Sequence, residues 1–329
     1  MTMRSSSFKE ARILSGLNDE QREAVCSTNG PLLVLAGAGT GKTLVITKRI
    51  AFLLNQGVSP ENVLAVTFTR KAAVEMRERV EALLGSSARG VTIATFHALG
   101  LKILREHGHR LDILGKATIY GTAEQLNLVE TILDEVDPEG HFAAINLLSR
   151  ISRAKNRGLT PEKLASRELD EMTRRAVLVF SRYQAELRRR GVLDLDDLLL
   201  LPLTLLREHT RVRNYYTRRW QYLLVDEFQD TNRSQSLLTQ HLAGERRNVC
   251  VVGDDDQSIY RFRGAEVGNI LRFREDYSGA NLVTLQVNYR CTSPIVALAN
   301  RVIEKAKTRY LSLLTLCTAR SLQESDSSE

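Results

Sequence analysis

The segment Ala36–Thr43, AGAGTGKT, constrains this chain more than any other stretch of it. It follows the apolar run Leu32–Ala36 (LLVLA). It precedes Thr43–Gln56, where Val45, Ile46, Ile50, Leu53 and Leu54 fall on one side of a helix stopped by Gly57. A short buried strand turning through a glycine-rich loop into a helix is the arrangement of a phosphate-binding loop. Gly37, Gly39 and Gly41 let backbone N–H groups approach phosphate oxygens with no Cβ in the way, and the helix N-terminus adds partial positive charge. Ala36 stands where the general pattern has Gly, and Ala38 and Thr40 complete the loop. Lys42 would reach the β- and γ-phosphates of a bound nucleotide, and the Thr43 hydroxyl would ligate Mg²⁺. The competing reading, a glycine-rich loop before an ordinary helix, leaves the flanking pattern unexplained.

The same alternation continues downstream. Val63–Thr67 and Val91–Thr95 read as strands, Arg70–Leu84 and Phe96–His107 as helices, and Tyr222–Val225, Val249–Val252 and Leu282–Gln286 as further strands. Strand alternating with helix predicts an α/β fold with a parallel sheet covered on both faces. Between Arg105 and Arg190 helical periodicity replaces it, as in Gln125–Val136 and Arg174–Arg190, so a helical insertion is expected within the α/β domain. The expected organisation is a flexible tail over residues 1–16, a first α/β segment over 17–104, a basic helical insertion over 105–190, a second α/β segment over 191–284, and a further start over 285–329 that ends in the polar stretch Ser321–Glu329.

Composition narrows the class. With 329 residues, 43% hydrophobic and 26% charged, the chain has apolar mass for two or three cores and is not disordered as a whole. No apolar run reaches the roughly 18–20 residues of a membrane span, so no membrane partner is expected, and residues 1–16 lack a secretory apolar segment. Cys26, Cys250, Cys291 and Cys317 are far apart, with no C-x-x-C pair, which suggests neither zinc nor disulfides and fits a reducing cytoplasmic setting. His107 and His109 lack companion ligands and read as surface side chains. The net charge is +7, and Arg150–Arg190 alone holds twelve basic and five acidic residues. Such a concentration attracts polyanions, although a solvated helical face would carry it equally well.

Two further segments carry chemistry. Tyr222–Asp230, YLLVDEFQD, is an apolar strand delivering adjacent carboxylates. Asp226 could hold Mg²⁺ and Glu227 could act as general base toward an attacking water; an ordinary helix cap is the alternative. Val252–Ala265, VGDDDQSIYRFRGA, sets Gln257 and Arg263 where they could sense a γ-phosphate, with Tyr260 and Phe262 as flat faces for single-stranded bases. A core aromatic pair beside a surface arginine is the alternative there.

Taken in order, LNDEQREAV (Leu17–Val25), AGAGTGKT, VTFTRKAA (Val66–Ala73), TFH (Thr95–His97), VDEFQDTN, VGDDDQSIYRFRGA and LQVNYR (Leu285–Arg290) resemble the motif series of UvrD/Rep/PcrA-type superfamily 1 DNA helicases over roughly Leu17–Asn300. LDLDDL at Leu193–Leu198 is also similar to the family. The resemblance implies a RecA-like P-loop domain with a helical subdomain inserted above it. It implies ATP and Mg²⁺ as cofactors, and single-stranded DNA or a single-strand/duplex junction as partner, with a completing or loading protein. It implies that Gln21 hydrogen-bonds adenine and Tyr289 stacks on it, and that Gln257, Arg263 and Arg290 sense or neutralise the γ-phosphate. Phe68, Thr95, His97, Tyr260 and Phe262 would line the DNA path. Arg70 stands where many relatives carry Asn and Phe262 where many carry Trp, which reduces the stacking area.

The family's second RecA-like domain would begin near Leu285, and the 45 residues from there are too few to complete it. The expectation is therefore the ATP-binding portion of a 3′→5′ helicase or translocase, truncated or frame-shifted and impaired alone. The alternatives are a non-motor module that binds nucleotide and single-stranded DNA, or a small-molecule P-loop enzyme, which leaves the aromatic–arginine segment unaccounted for.

Overall fold

Every residue of the strands β1 (Leu32–Ala36), β2 (Val63–Thr67) and β7 (Val249–Gly253) is buried, as strands covered on both faces require. The computed structural model describes residues 9–113, 117–165, 171–305 and 316–319. With β3 (Thr92–Thr95), β6 (Tyr222–Val225) and β8 (Asn281–Leu285), these strands form a six-stranded sheet in the order β3-β2-β6-β7-β1-β8. Each neighbouring pair is parallel. The C-terminal ends of all six strands therefore share one edge, where loops of a doubly wound sheet gather ligands. This is an α/β, RecA-like P-loop arrangement.

Sequence patterns place most of these elements. The strands at Leu32–Ala36, Val63–Thr67 and Tyr222–Val225 and the helices Arg70–Leu84 and Phe96–His107 have the expected bounds. The core of this layer joins Val34, Ala36, Val45, Ile46, Ile50, Ala65, Met76, Val80, Leu224 and Val252. Apolar side chains from the helices Lys42–Asn55 and Arg70–Leu84 thus close on the sheet from sequence positions about one helical turn apart.

The chain divides into two compact units. The first holds the six-stranded sheet; the second comprises residues 96–215 and 232–241. These limits differ from the expected insertion at 105–190. The physical reason is the helix Phe96–His107, which packs on Asp197–Glu208 inside the second unit. A Cβ at Gly100 would come within 1.7 Å of the Leu198 carbonyl oxygen, so only glycine permits that approach. The second unit has its own apolar core, built on Leu128, Val129, Leu147, Ile151, Val179, Phe180 and Tyr183. Beside it lies a polar cluster. Lys155 Nζ, fully buried, donates to Asp194 Oδ2 at 2.6 Å and Asp197 Oδ1 at 2.8 Å, while Tyr183 Oη donates to Asp194 Oδ2 and Gln184 Nε2 to Asp197 Oδ1. Two short strands, β4 (Thr118–Tyr120) and β5 (Val192–Asp194), pair in parallel in this unit.

One expectation requires correction. Residues 1–16 read as a flexible tail, but residues 9–14 are helical and Ile13 is buried in the sheet core. The Arg12 guanidinium donates to the Leu83 carbonyl. Residues 9–14 are too few to show periodicity by themselves, and docking on the neighbouring helix stabilises what propensity alone would not. Residues 1–8 and 321–329, both expected to be flexible, lie outside the described residues.

Candidate nucleotide site

The phosphate loop leaves β1 at Ala36 and enters the helix Lys42–Asn55 through Gly41, whose φ of 93° lies in the left-handed region that suits glycine. Gly39, at φ 72°, is equally constrained from outside: a Cβ there would sit 2.8 Å from both Arg290 Cβ and Asn288 Nδ2. Thr40 Oγ1 donates to the Gly37 carbonyl at 2.8 Å and braces the loop internally. Lys42 Nζ donates to the Ala36 carbonyl at 3.0 Å and lies 3.7 Å from Asp254 Oδ2.

Asp254 directly follows β7, the strand adjacent to β1, and Asp226 directly follows β6, one strand further along. With about 4.8 Å between neighbouring strands, the Asp226 backbone stands roughly 10 Å from the phosphate loop, a gap that side chains and a phosphate can fill. Asp226 is 5% exposed, and its carboxylate accepts a hydrogen bond from the Glu227 N–H at 3.1 Å. Burial, together with the charge of Glu227, pushes its pKa up to about 7, although Lys42 works in the opposite direction. Burial and the Glu227 charge likewise push Asp230 up to about 6, and Asp230 Oδ1 is buried without a hydrogen-bond partner. A buried, under-compensated carboxylate such as Asp226 suits a hard divalent cation with oxygen ligands. Asp226 and the partly buried Thr43 could supply a carboxylate and a hydroxyl oxygen to such an ion.

Glu227 sits at φ 50°, ψ 48°, a left-handed conformation uncommon for a residue with a Cβ. Its carbonyl accepts from the Asp230 N–H at 3.0 Å, and its carboxylate accepts from Gln229 Nε2 at 2.7 Å. Gln257 Nε2 donates to Asp254 Oδ2 at 2.5 Å, so Gln257 and Lys42 converge on one carboxylate. The Arg263 side chain lies outside the described residues.

On the other flank, Asn288 Nδ2 donates to the Ala38 carbonyl at 2.6 Å, and its Oδ1 accepts from the N–H groups of Arg290 and Cys291. The Tyr289 N–H donates to the Gly39 carbonyl at 3.0 Å. Tyr289 and Arg290 are thereby held against the phosphate loop, with Tyr289 54% exposed. Gln21 Nε2 donates to the Thr40 carbonyl at 2.9 Å, and Gln21 Oε1 accepts from the Asn18 N–H as half of a helix capping box. One N–H of its amide is thus committed to the loop. Leu316 packs on Gly37, and β10 (Cys317–Thr318) pairs with β9 (Val287–Asn288) beside it.

The aromatic positions form a strip. Phe68 and Tyr260 have ring centroids 5.3 Å apart, Tyr260 and Phe262 6.0 Å apart, and Phe262 is 78% exposed. Thr95, at the end of β3, belongs to the same unit, whereas His97 belongs to the helical one. Burial lowers the His97 pKa, which favours the neutral imidazole.

Three residues that sequence reasoning did not single out thus organise the site: Gln229, Asp254 and Asn288. Their partners lie 25, 212 and 250 positions away in the chain, beyond the reach of any local pattern.

Comparison with known proteins accords with this geometry. Residues 17–278 match the model of the UvrD/REP helicase N-terminal domain. The chain is 45% identical over 304 residues to the ATP-dependent DNA helicase PcrA of Bacillus subtilis, covering 91% of this chain and 41% of that protein. It is 46% identical over 299 residues to a probable DNA helicase II homolog of Rickettsia conorii, covering 89% of this chain and 46% of that one. Against PcrA of Staphylococcus aureus the identity is 43% over 300 residues, covering 90% and 41%. The chain therefore spans somewhat under half the length of the curated relatives it matches. A parallel sheet with a phosphate loop and paired carboxylates on one edge, matched over most of its length by a single family model, places this chain in the UvrD/REP helicase N-terminal domain family.

Proposed function

We propose that this chain is the ATP-binding and ATP-hydrolysing portion of a UvrD-like DNA helicase or translocase that moves 3′→5′ along single-stranded DNA. The observation that carries the reading is the gathering of Lys42, Asp254, Asp226 and Glu227 at neighbouring strand ends. In this reading the backbone N–H groups of Gly37–Gly41 cradle phosphate oxygens. Lys42 exchanges the Ala36 carbonyl and Asp254 for the β- and γ-phosphates. Thr43 and Asp226 would hold Mg²⁺, which when bound would supply positive charge beside the phosphates. Glu227 accepts the proton of the attacking water, held in place by its left-handed backbone and by Gln229.

Gln257, Arg263 and Arg290 respond to the γ-phosphate, while Gln21 and Tyr289 receive the adenine. Phe68, Thr95, His97, Tyr260 and Phe262 take the bases and backbone of single-stranded DNA. The basic helical unit adds salt-dependent attraction for the polyanion. The two compact units serve as the motor domain and its DNA-binding insertion, and a loading protein would act on the same surfaces.

The alternative, a non-motor module binding nucleotide and single-stranded DNA, has no observation in its favour over this one. ATP turnover by the 329-residue chain, titrated with single-stranded oligonucleotide, tests the proposal. Turnover that rises with single-stranded DNA supports it. Salt-dependent DNA binding with no turnover above that of K42A contradicts it.

A further inference from the structure

Gln229 follows the paired carboxylates by two positions and lies in the 3₁₀ turn Phe228–Asp230, 1% exposed. A buried primary amide must satisfy two N–H donors and a carbonyl acceptor, so its hydrogen bonds report what it is built to hold. Here Nε2 donates to Glu227 Oε2 at 2.7 Å, and Oε1 accepts from the Asp254 N–H at 3.0 Å. A third contact runs through the backbone: Ser258 Oγ donates to the Gln229 carbonyl at 3.2 Å. Both ends of the amide are therefore engaged, one by the end of β6 and the other by the end of β7.

The surroundings are shaped around this side chain. A Cβ at Gly253 would fall 2.6 Å from Gln229 Oε1 and 2.8 Å from Ile270 Cδ1, so residue 253 must be small for the amide to reach Asp254. Glu227 gains its fixed direction from the same bond, since its carboxylate is otherwise only partly buried at the strand end. Residues 254–258 continue directly into Tyr260 and Phe262, the exposed end of the aromatic strip.

We propose that Gln229 is a positioning residue that aims the Glu227 carboxylate and ties its position to the 254–262 loop, so that occupancy of the aromatic strip is felt at the hydrolytic centre. This rests on the reading of Glu227 as general base. A hydrogen bond from a buried neutral amide fixes a carboxylate without neutralising it, as a base requires. Rigid-body displacement of the loop would carry the Asp254 N–H and, through Gln229, rotate the carboxylate.

The test uses the full 329-residue chain with Q229M, Q229E, G253A and E227Q. Single-turnover ATP hydrolysis is measured with protein in excess, with and without a single-stranded oligonucleotide. Affinity for a fluorescent ATP analogue and the thermal midpoint are measured alongside. Q229M matches the side chain in length and removes both hydrogen bonds. Q229E keeps the acceptor for Asp254 but loses the donor to Glu227, and it carries the test if Q229M does not fold. The expected result is a fall in the hydrolytic rate of about tenfold or more in Q229M and Q229E, nucleotide affinity held within about twofold, and a DNA stimulation ratio that drops toward one. G253A is expected to shift in the same direction. Wild-type rates in Q229M and Q229E, with E227Q inactive, overturn the role of Gln229 while leaving Glu227 as base. Affinity, midpoint and rate falling together with the DNA ratio intact reveal a purely structural role and also overturn it. A wild-type chain no faster than E227Q overturns the reading of Glu227, and the positioning role with it.

Discussion

The ammonium of Lys42 lies 3.7 Å from the carboxylate of Asp254, with Asp254 buried and Lys42 partly so. The lysine is thus already directed across the mouth of the phosphate loop by the neighbouring strand, instead of extending into solvent. Burial raises the Asp254 pKa while Lys42 pulls it down, so the pair is mutually dependent. K42A is expected to weaken binding of a fluorescent ATP analogue by about tenfold or more, a cost of at least 1.4 kcal/mol. K42A, D254N and the double variant K42A/D254N give the coupling directly, and a thermal midpoint lower in K42A than in the double variant is the expected sign of an uncompensated Asp254.

Asp226 offers a separation of stability from function. Its folded pKa, pushed up to about 7, exceeds the ordinary 3.8, so its contribution to stability is complete below about pH 4 and is lost as pH rises through 7. D226N, which removes the buried charge, is expected to raise the thermal midpoint at pH 8 relative to wild type by about 2–4 °C per kcal/mol relieved, and to show less difference at pH 4. The same substitution is expected to abolish Mg²⁺-dependent hydrolysis. Equal pH dependence in both proteins by calorimetry contradicts the assignment.

In the helical unit, Lys155 is opposed by burial, but Asp197 and Asp194 together raise its pKa and keep it charged. K155M leaves two buried carboxylates without their cation, and breaking such a cluster costs about 3–5 kcal/mol. Urea denaturation followed by circular dichroism is expected to show this loss, and the triple variant K155M/D194N/D197N is expected to recover part of it.

Gly100 is a steric prediction. A methyl group there meets the Leu198 carbonyl, so G100A must separate the helices Phe96–His107 and Asp197–Glu208. Overpacking of this kind costs about 1–3 kcal/mol or more, despite the higher helix propensity of alanine. A midpoint equal to or above wild type in thermal unfolding contradicts that contact.

Phe262 is expected to contribute to single-stranded DNA affinity without contributing to stability, since it is 78% exposed. Loss of a stacked base costs about 1–3 kcal/mol, so F262A is expected to weaken oligonucleotide binding about tenfold, and F262W to strengthen it through a larger face. Fluorescence anisotropy at fixed salt decides both.

The sheet was readable because its strands are uniform apolar runs ending in glycine or in chemistry-bearing residues, as at Leu32–Ala36 and Tyr222–Val225. The places of Asp226 and Glu227 were readable for the same reason: both directly follow a strand. Gln229, Asp254 and Asn288 were not, because each acts through a partner brought close only by the sheet order. Lys155 reads as one more charge in a basic stretch until folding sets it against Asp194 and Asp197, 39 and 42 positions away. The limits of the helical unit depend on which helices pack together, and the Gly100–Leu198 approach that decides it leaves no periodic trace.

The central claim is that a magnesium–triphosphate complex is gripped between the phosphate loop and the ends of β6 and β7. Equilibrium titration of a fluorescent ATP analogue, with and without Mg²⁺, against the wild-type chain, K42A, T43V and D226N tests it most directly. The account predicts binding that strengthens with Mg²⁺, weakens sharply in K42A, and loses its Mg²⁺ dependence in T43V and D226N. Equal affinities in all four proteins, indifferent to the metal, contradict it.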